Sequence, residues 1–192
     1  MLTTDRMKEE SEKLQMLNLD LENLTSYPDV LPPTPTPKQE EQPFDISQCG
    51  SDGYFQKIFK VEAGGKVRAK NPYASAAGPY QFIKSTWNSL CREMGVNYSL
   101  EDRYDMNKAT QVMAYFTKKN EAVLRRNGVP VNNMTRYMCH FLGAGRAAKL
   151  LKASDDTPLT AFLSANEMQV NKGYVKGGTV GSLKRLMAKK MA

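Results

Sequence analysis

Hydrophobic positions change their rhythm twice along this chain. Across residues 7–24, Met7, Leu14, Leu17, Leu21 and Leu24 fall on heptad a and d positions, interrupted by Glu10. The spacing predicts a short amphipathic helix. A helix of that length has nothing of its own to cover the stripe. It either docks, into a groove on a partner or against copies of itself, or stays a nascent helix in a solvated tail. The next stretch, YPDVLPPTPTPKQEEQP at 27–43, carries six of the ten prolines and no apolar period. That composition favours extended polyproline II and reads as a semi-rigid spacer, with a motif for a proline-binding domain as the alternative.

From about residue 50 the pattern turns globular and helical. YFQKIFKVE (54–62) puts Phe55, Ile58 and Phe59 on one face. Ile83, Trp87, Leu90 and Met94 repeat at 4-3-4 spacing and predict a core-facing helix, with Pro79 suited to its first turn. Ser99-Leu-Glu-Asp102 resembles a capping box with Asp102 in the acidic position. A long helix is expected over 107–126, with Val112, Met113, Phe116 and Val123 inward and Asn127-Gly128 as its stop. Met134, Tyr137, Met138 and Phe141 continue the helical period before Gly143 and Gly145, and Asp156-Thr157-Pro158 reads as a further helix start. No segment alternates as a strand does. The expected organisation is an amphipathic docking helix at 1–26, a Pro-rich linker at 27–48 and a mainly α domain at 49–192.

Charge divides along the same boundary. Residues 1–50 hold 10 acidic and 4 basic side chains, whereas residues 51–192 hold 10 acidic and 23 basic. A domain so basic meets polyanions favourably, whether nucleic acid, anionic lipid or the carboxylate-rich bacterial wall. Its C-terminal segment, KGGTVGSLKRLMAKKMA, sets Leu183, Leu186 and Met187 among Lys184, Arg185, Lys189 and Lys190. It is either a helix packed on the domain or one that contacts nucleic acid or a membrane surface.

Three cysteines, Cys49, Cys91 and Cys139, have neither an even count nor CxxC spacing. They suggest no disulfide framework or zinc ribbon, and no metal site or cofactor is expected. The opening MLTTDRMKEESEK is polar and lacks the apolar core of a secretory signal. Nor does any run reach the roughly 18 apolar residues of a membrane span.

The single histidine, His140, sits beside Cys139 on a helix, where the two side chains diverge. It reads as a buried or surface helical histidine rather than part of a triad. Glu62 is different. It closes an apolar helix and is followed by Ala63-Gly64-Gly65, and from Gly64 to Trp87 the only charges are Lys66, Arg68, Lys70 and Lys84. Burial at such a place raises a carboxyl pKa, as a general acid requires. The alternative is a plain i, i+4 pair with Lys66.

Taken together, VEAGGKVRAKNPYASAAGPYQFIKSTW (61–87) resembles the lytic transglycosylase family, the soluble-lytic-transglycosylase-like and goose-type-lysozyme-like group. The resembling pieces are Glu62-Ala63-Gly64-Gly65, the small turn Ser75-Ala76-Ala77-Gly78, Tyr80-Gln81-Phe82, and Thr86-Trp87. DMNKATQVMAYF (105–116) and YMCHFLGAGRAAKLL (137–151) extend the resemblance over about residues 50–155. Ala63 stands where many members have Ser. Phe141-Leu142 replaces the Tyr-Asn of the cellular enzymes, and Tyr137, one turn earlier, is the candidate for the hydroxyl.

The resemblance implies a lysozyme-like fold and a peptidoglycan glycan strand as substrate. Glu62 is then the catalytic acid that becomes the base, giving a 1,6-anhydro product. Ser75, Gly78, Tyr80, Gln81, Phe82, Tyr137 and Phe141 are then the substrate contacts. Gln81 would bond N-acetyl groups and Tyr80 or Phe82 would stack on a sugar, while the small residues leave the strand room. Phage lysozymes, the hydrolytic alternative, place an Asp nine residues after their Glu, and here that position is Asn71.

With no export segment expected, delivery to the wall suggests a phage particle. The acidic helix would dock on other virion proteins through Leu14, Leu17, Leu21 and Leu24, and the enzyme would act at the host envelope during genome entry. Three alternatives stay open: an endolysin, a structural ejection-channel or plug protein keeping the fold, and a basic DNA-packaging protein.

Overall fold

The computed structural model describes residues 53–71 and 75–192. The docking helix at 1–26 and the linker at 27–48 lie outside the described residues. Within them the architecture is mainly α, with eight α-helices and two 3-10 turns. The extended pairings described are single bridges, such as Lys70 with Ala77 and Ala77 with Phe82.

Helix α1 (Tyr54–Ala63) buries Tyr54, Ile58 and Glu62 at intervals of four, which is one face of a helix. Phe55 and Phe59 are half-buried beside them. Gly64, at φ +58°, ends the helix and donates its N–H to Lys60 O. A left-handed residue here costs glycine nothing and turns the chain away immediately after Glu62.

The expected stripe of Ile83, Trp87 and Leu90 is buried, with Met94 half-buried, but its helix begins later than Pro79 suggests. Helix α2 spans Lys84–Met94. Pro79 instead sits in a tight turn whose Gly78 N–H reaches Ala69 O at 2.8 Å. The side chain of Ser75 accepts from Lys84 N at 3.3 Å, so a residue from across the loop serves the start of α2. Trp87 is wholly buried and donates its indole N–H to Ser99 O at 2.9 Å.

Asp102 does reach back to Ser99, accepting from its N–H at 2.6 Å and its hydroxyl at 2.9 Å, but the element it opens is a 3-10 turn, Glu101–Tyr104. Asp105 then caps α3 (Met106–Arg126), accepting from Asn107 N and Lys108 N. Asn127 and Gly128, at φ +69°, stop α3 where expected. Val112 and Met113 are fully enclosed, while Phe116 and Val123 are half-buried.

Helix α4 (Asn133–Leu142) starts on a reciprocal capping box between Asn132 and Thr135. Every residue from Tyr137 to Leu142 is buried. Six consecutive buried residues leave a helix no solvent face, so α4 is the central element and must be covered all round. Its cover comes from α3, α5 (Ala144–Lys152) and the C-terminal α8 (Val180–Lys190).

Asp156-Thr157-Pro158 leads into a single 3-10 turn, Leu159–Ala161. Two short helices, α6 (Ala165–Val170) and α7 (Lys172–Val175), precede α8. In α8, Leu183 and Met187 are buried and Leu186 half-buried, while Arg185 and Lys189 are exposed. The apolar side of α8 is therefore used inside the domain, the packed arrangement of the two expected for this segment. Among the described residues no helix is long and apolar enough to cross a membrane.

Candidate active site

Four side chains from three helices meet at the end of α1. Glu62 lies in the last turn of α1 with its side chain 3% exposed. Tyr137 and His140 stand three residues apart on α4, the spacing that brings side chains onto one helix face. Their rings stack at 6.1 Å with planes 13° apart. His140 Nε2 lies 3.7 Å from Glu62 Oε1, and the imidazole is 4% exposed. Phe116 of α3 meets the imidazole edge-on at 6.0 Å.

The Tyr137 hydroxyl is hydrogen-bonded to Glu62 on one side and to Tyr174 of α7 on the other. Burial pushes its pKa well above the usual phenol value, and the charge of Glu62 adds to the shift. Both effects disfavour a phenolate, so Tyr137 keeps its proton. Phe141, one residue beyond His140, stacks on Tyr174 at 4.7 Å, and Lys190 Nζ of α8 stands 4.6 Å from the same ring's centroid.

Glu62, Tyr137 and Phe141 of the expected set thus belong to one cluster. The others lie in the adjoining loop and make their contacts with protein. Tyr80 is buried, faces Phe55 and Phe59 of α1 at 6.5 Å each, and shares a 2.9 Å hydrogen bond with Thr110 Oγ1. Burial raises its pKa against the opposing pull of Thr110. Phe82 packs on Trp87 and Phe116, at 5.7 and 6.2 Å. Gln81 holds a left-handed backbone, φ +51°, and its amide donates to Gly78 O at 2.8 Å and Ala69 O at 3.2 Å. Those bonds make Gln81 a brace of the loop.

Gly78 receives a different explanation from the one its smallness suggests. A Cβ there would lie 1.9 Å from Arg103 O. The space left by the missing side chain is filled by the backbone of the 101–104 turn. Arg103 then fastens the loop, donating from Nη1 to Ser75 O at 2.6 Å and to Phe82 O at 3.1 Å. Ser75 is exposed and serves α2 as described.

His140, Tyr174 and Phe116 are the members of the cluster that the sequence did not single out as site residues, Phe116 being expected only as an inward residue of its helix. His140 carries a trace of a signal, being three residues after Tyr137 within the run Tyr137–Leu142, where its neighbours are largely apolar. Tyr174 carries none, because only the tertiary return of α7 brings it to Tyr137. The thiols of Cys139 and Cys91 are pushed up by burial, to about 12 and about 11, and are unsuited to nucleophilic work near neutral pH. Among the described residues no group of three or more His, Cys, Asp or Glu side chains is arranged to hold a metal ion.

The cluster is thus a buried carboxyl in contact with a neutral phenol and an imidazole, a class of site that handles protons. No family model matches the chain. A segment of 57 residues is 39% identical to a protein described as "Probable transglycosylase SceD" in Staphylococcus aureus strains Newman, Mu3 and USA300. The match covers 30% of this chain and 23% of each relative, so the chain spans about a quarter of the length of the curated relatives it matches.

Proposed function

We propose that this protein is a peptidoglycan lytic transglycosylase in which Glu62 serves first as general acid and then as general base. The observation that carries this reading is the enclosed Glu62 carboxyl, held by Tyr137 at the end of α1. The partial similarity to a probable transglycosylase supports it.

Glu62 donates its proton to the glycosidic oxygen between N-acetylmuramic acid and N-acetylglucosamine, and the bond from that oxygen to the muramic C1 breaks. The substrate's N-acetyl oxygen supports the developing charge at C1, as in substrate-assisted glycosidases, so no second protein carboxylate takes part. The muramic C6 hydroxyl then attacks C1 and gives its proton to the Glu62 carboxylate. The 1,6-anhydro ring closes and the acid is restored. Tyr137 fixes the carboxyl orientation through both halves of the cycle.

The setting we propose is a phage particle, where the heptad stripe of residues 7–24 supplies a docking element and the proline-rich stretch supplies reach. A second reading, a particle component that keeps the fold with little activity, is favoured by one observation. Tyr80, Gln81 and Phe82 spend their contacts on protein. One experiment separates the two. Purified sacculi are incubated with the full chain and with Glu62→Gln, and the released muropeptides are read by mass spectrometry. The expected products are anhydro-muropeptides, one water lighter than hydrolytic ones, with release falling ~10²- to 10⁴-fold in folded Glu62→Gln. Mainly reducing muramic ends would indicate a lysozyme-type hydrolase. No release by the wild type would favour the structural component.

A further inference from the structure

Resting on the reading of Glu62 as the acid, we infer that His140 is a positioning residue that shares a proton with Glu62, the two buried groups holding one proton between them. The imidazole and the carboxyl lie 3.7 Å apart, and each is more than nine-tenths enclosed. A lone charge on either group would be enclosed by protein, and burial penalises it. Two forms avoid a net charge: neutral imidazole with a protonated carboxyl, and imidazolium with a carboxylate. Both contain one proton, and they differ by its passage between Nε2 and Oε1. The pair therefore resists losing its last proton, and titrates as a unit rather than as two residues.

The surroundings favour this assignment. Tyr137 on α4 faces both groups, and burial together with the Glu62 charge holds it protonated. Tyr174 on α7 lies beyond Tyr137, with Lys190 of α8 over its ring. Cys139, the neighbour of His140, is held as the thiol. The α3 side of the imidazole is the ring of Phe116. Of the two paired groups, His140 is the one whose ordinary pKa lies near neutrality, and that of a glutamate lies at about 4.3.

The consequence for the reaction has a definite sign. A lone carboxyl offers the last proton one place, whereas the pair offers it two. The last deprotonation of the pair therefore falls at a higher pH than that of Glu62 beside a non-titrating ring. Only the form with the proton on Glu62 can protonate the glycosidic oxygen, so His140 moves the midpoint of the alkaline limb to higher pH while the imidazolium–carboxylate form lowers the plateau.

The chain contains one histidine, so its imidazole gives a single resonance set without assignment. In the full chain, the NMR titration of His140 is compared between wild type and Glu62→Gln. Removing the carboxylate is expected to lower the imidazole midpoint by at least about one pH unit, since an opposite charge at this range is worth ~1–3 units. Independently, muropeptide release is profiled against pH for wild type and His140→Phe, which keeps a ring against Tyr137 and Phe116. The alkaline limb is expected to move to lower pH in His140→Phe, by about one unit, with release retained at the acid end. Equal imidazole midpoints in wild type and Glu62→Gln would overturn the pairing, as would superimposable alkaline limbs. Failure of the wild type to release muropeptides at any pH would instead overturn the glycan-cleaving function, a result distinguishable from either.

Discussion

Replacing Gly78 by alanine tests how the site loop is held. The added Cβ would stand 1.9 Å from Arg103 O and 2.8 Å from its carbonyl carbon. Real Cβ contacts essentially never fall below 3.0 Å, so the loop and the 101–104 turn must part by more than 1 Å. Their separation strains the two bonds from Arg103 Nη1, to Ser75 O and Phe82 O. Hydrogen bonds to a charged group contribute ~1.5–3 kcal/mol each. The left-handed backbone at φ +83° adds ~1–2 kcal/mol once a Cβ is present. If both bonds are lost, the terms sum to about 4–8 kcal/mol, a large part of the ~5–15 kcal/mol that holds a domain together. Gly64 is the control: its φ is +58°, but a Cβ there meets nothing within 4 Å. Gly64→Ala should therefore lose only the conformational part. Urea unfolding, followed through the sole and fully buried tryptophan, Trp87, gives both values. Should Gly78→Ala fall within about 1 kcal/mol of Gly64→Ala, the packing account of this loop is wrong.

Two further outcomes are expected. Lys108, with the N–H and hydroxyl of Ser99, holds the Asp102 carboxyl below its ordinary range. A lowered folded pKa stabilises the protein fully above the ordinary Asp value of about 3.9 and loses that contribution as pH falls through the folded value. The stability gap between wild type and Asp102→Asn should accordingly be present at neutral pH and close on acidification; a gap constant over the titration counts against it. On the proposed particle setting, Leu17→Asp with Leu21→Asp should leave muropeptide release by purified protein intact and deplete the protein from particles. Normal copy number of the double variant would show that the stripe is not the anchor.

The helices were legible where local signals agreed with the period. The apolar period over 107–126 and the Asn127-Gly128 stop predict α3 to within a residue of its start, to which the structure adds the Asp105 cap, and the burial of Ile83, Trp87 and Leu90 follows from their spacing alone. Pro79 misled because a proline suits a turn as well as a first helical position, and the tie of Gly78 N–H to Ala69 O decides between them. The placement of Glu62 was readable, since an apolar helix delivers it and the Gly64 turn frees it. Its companions were less so. His140 needed the approach of α1 to α4, and Tyr174 needed the return of a segment more than thirty residues further on. Gly78 illustrates the same limit: a missing side chain signals close approach but not what approaches, and here it is the Arg103 backbone.

The packing of α8 on α4, and the bond from Lys57 Nζ in α1 to Met191 O at 3.0 Å, bear on the order in which this protein can be built. Glu62 emerges early in synthesis, Tyr137 and His140 much later, and Tyr174 later still. The helix that carries Tyr137 and His140 is fully covered once α8 has joined α3 and α5 around it. Contacts so distant in sequence are slow to close, and the chain between them must be in place first. A polypeptide halted before residue 174 would hold Glu62 on α1 without the tyrosine pair that orients it. Competence at this site is a property of the finished domain, so a nascent or clipped chain has the acid but not its setting.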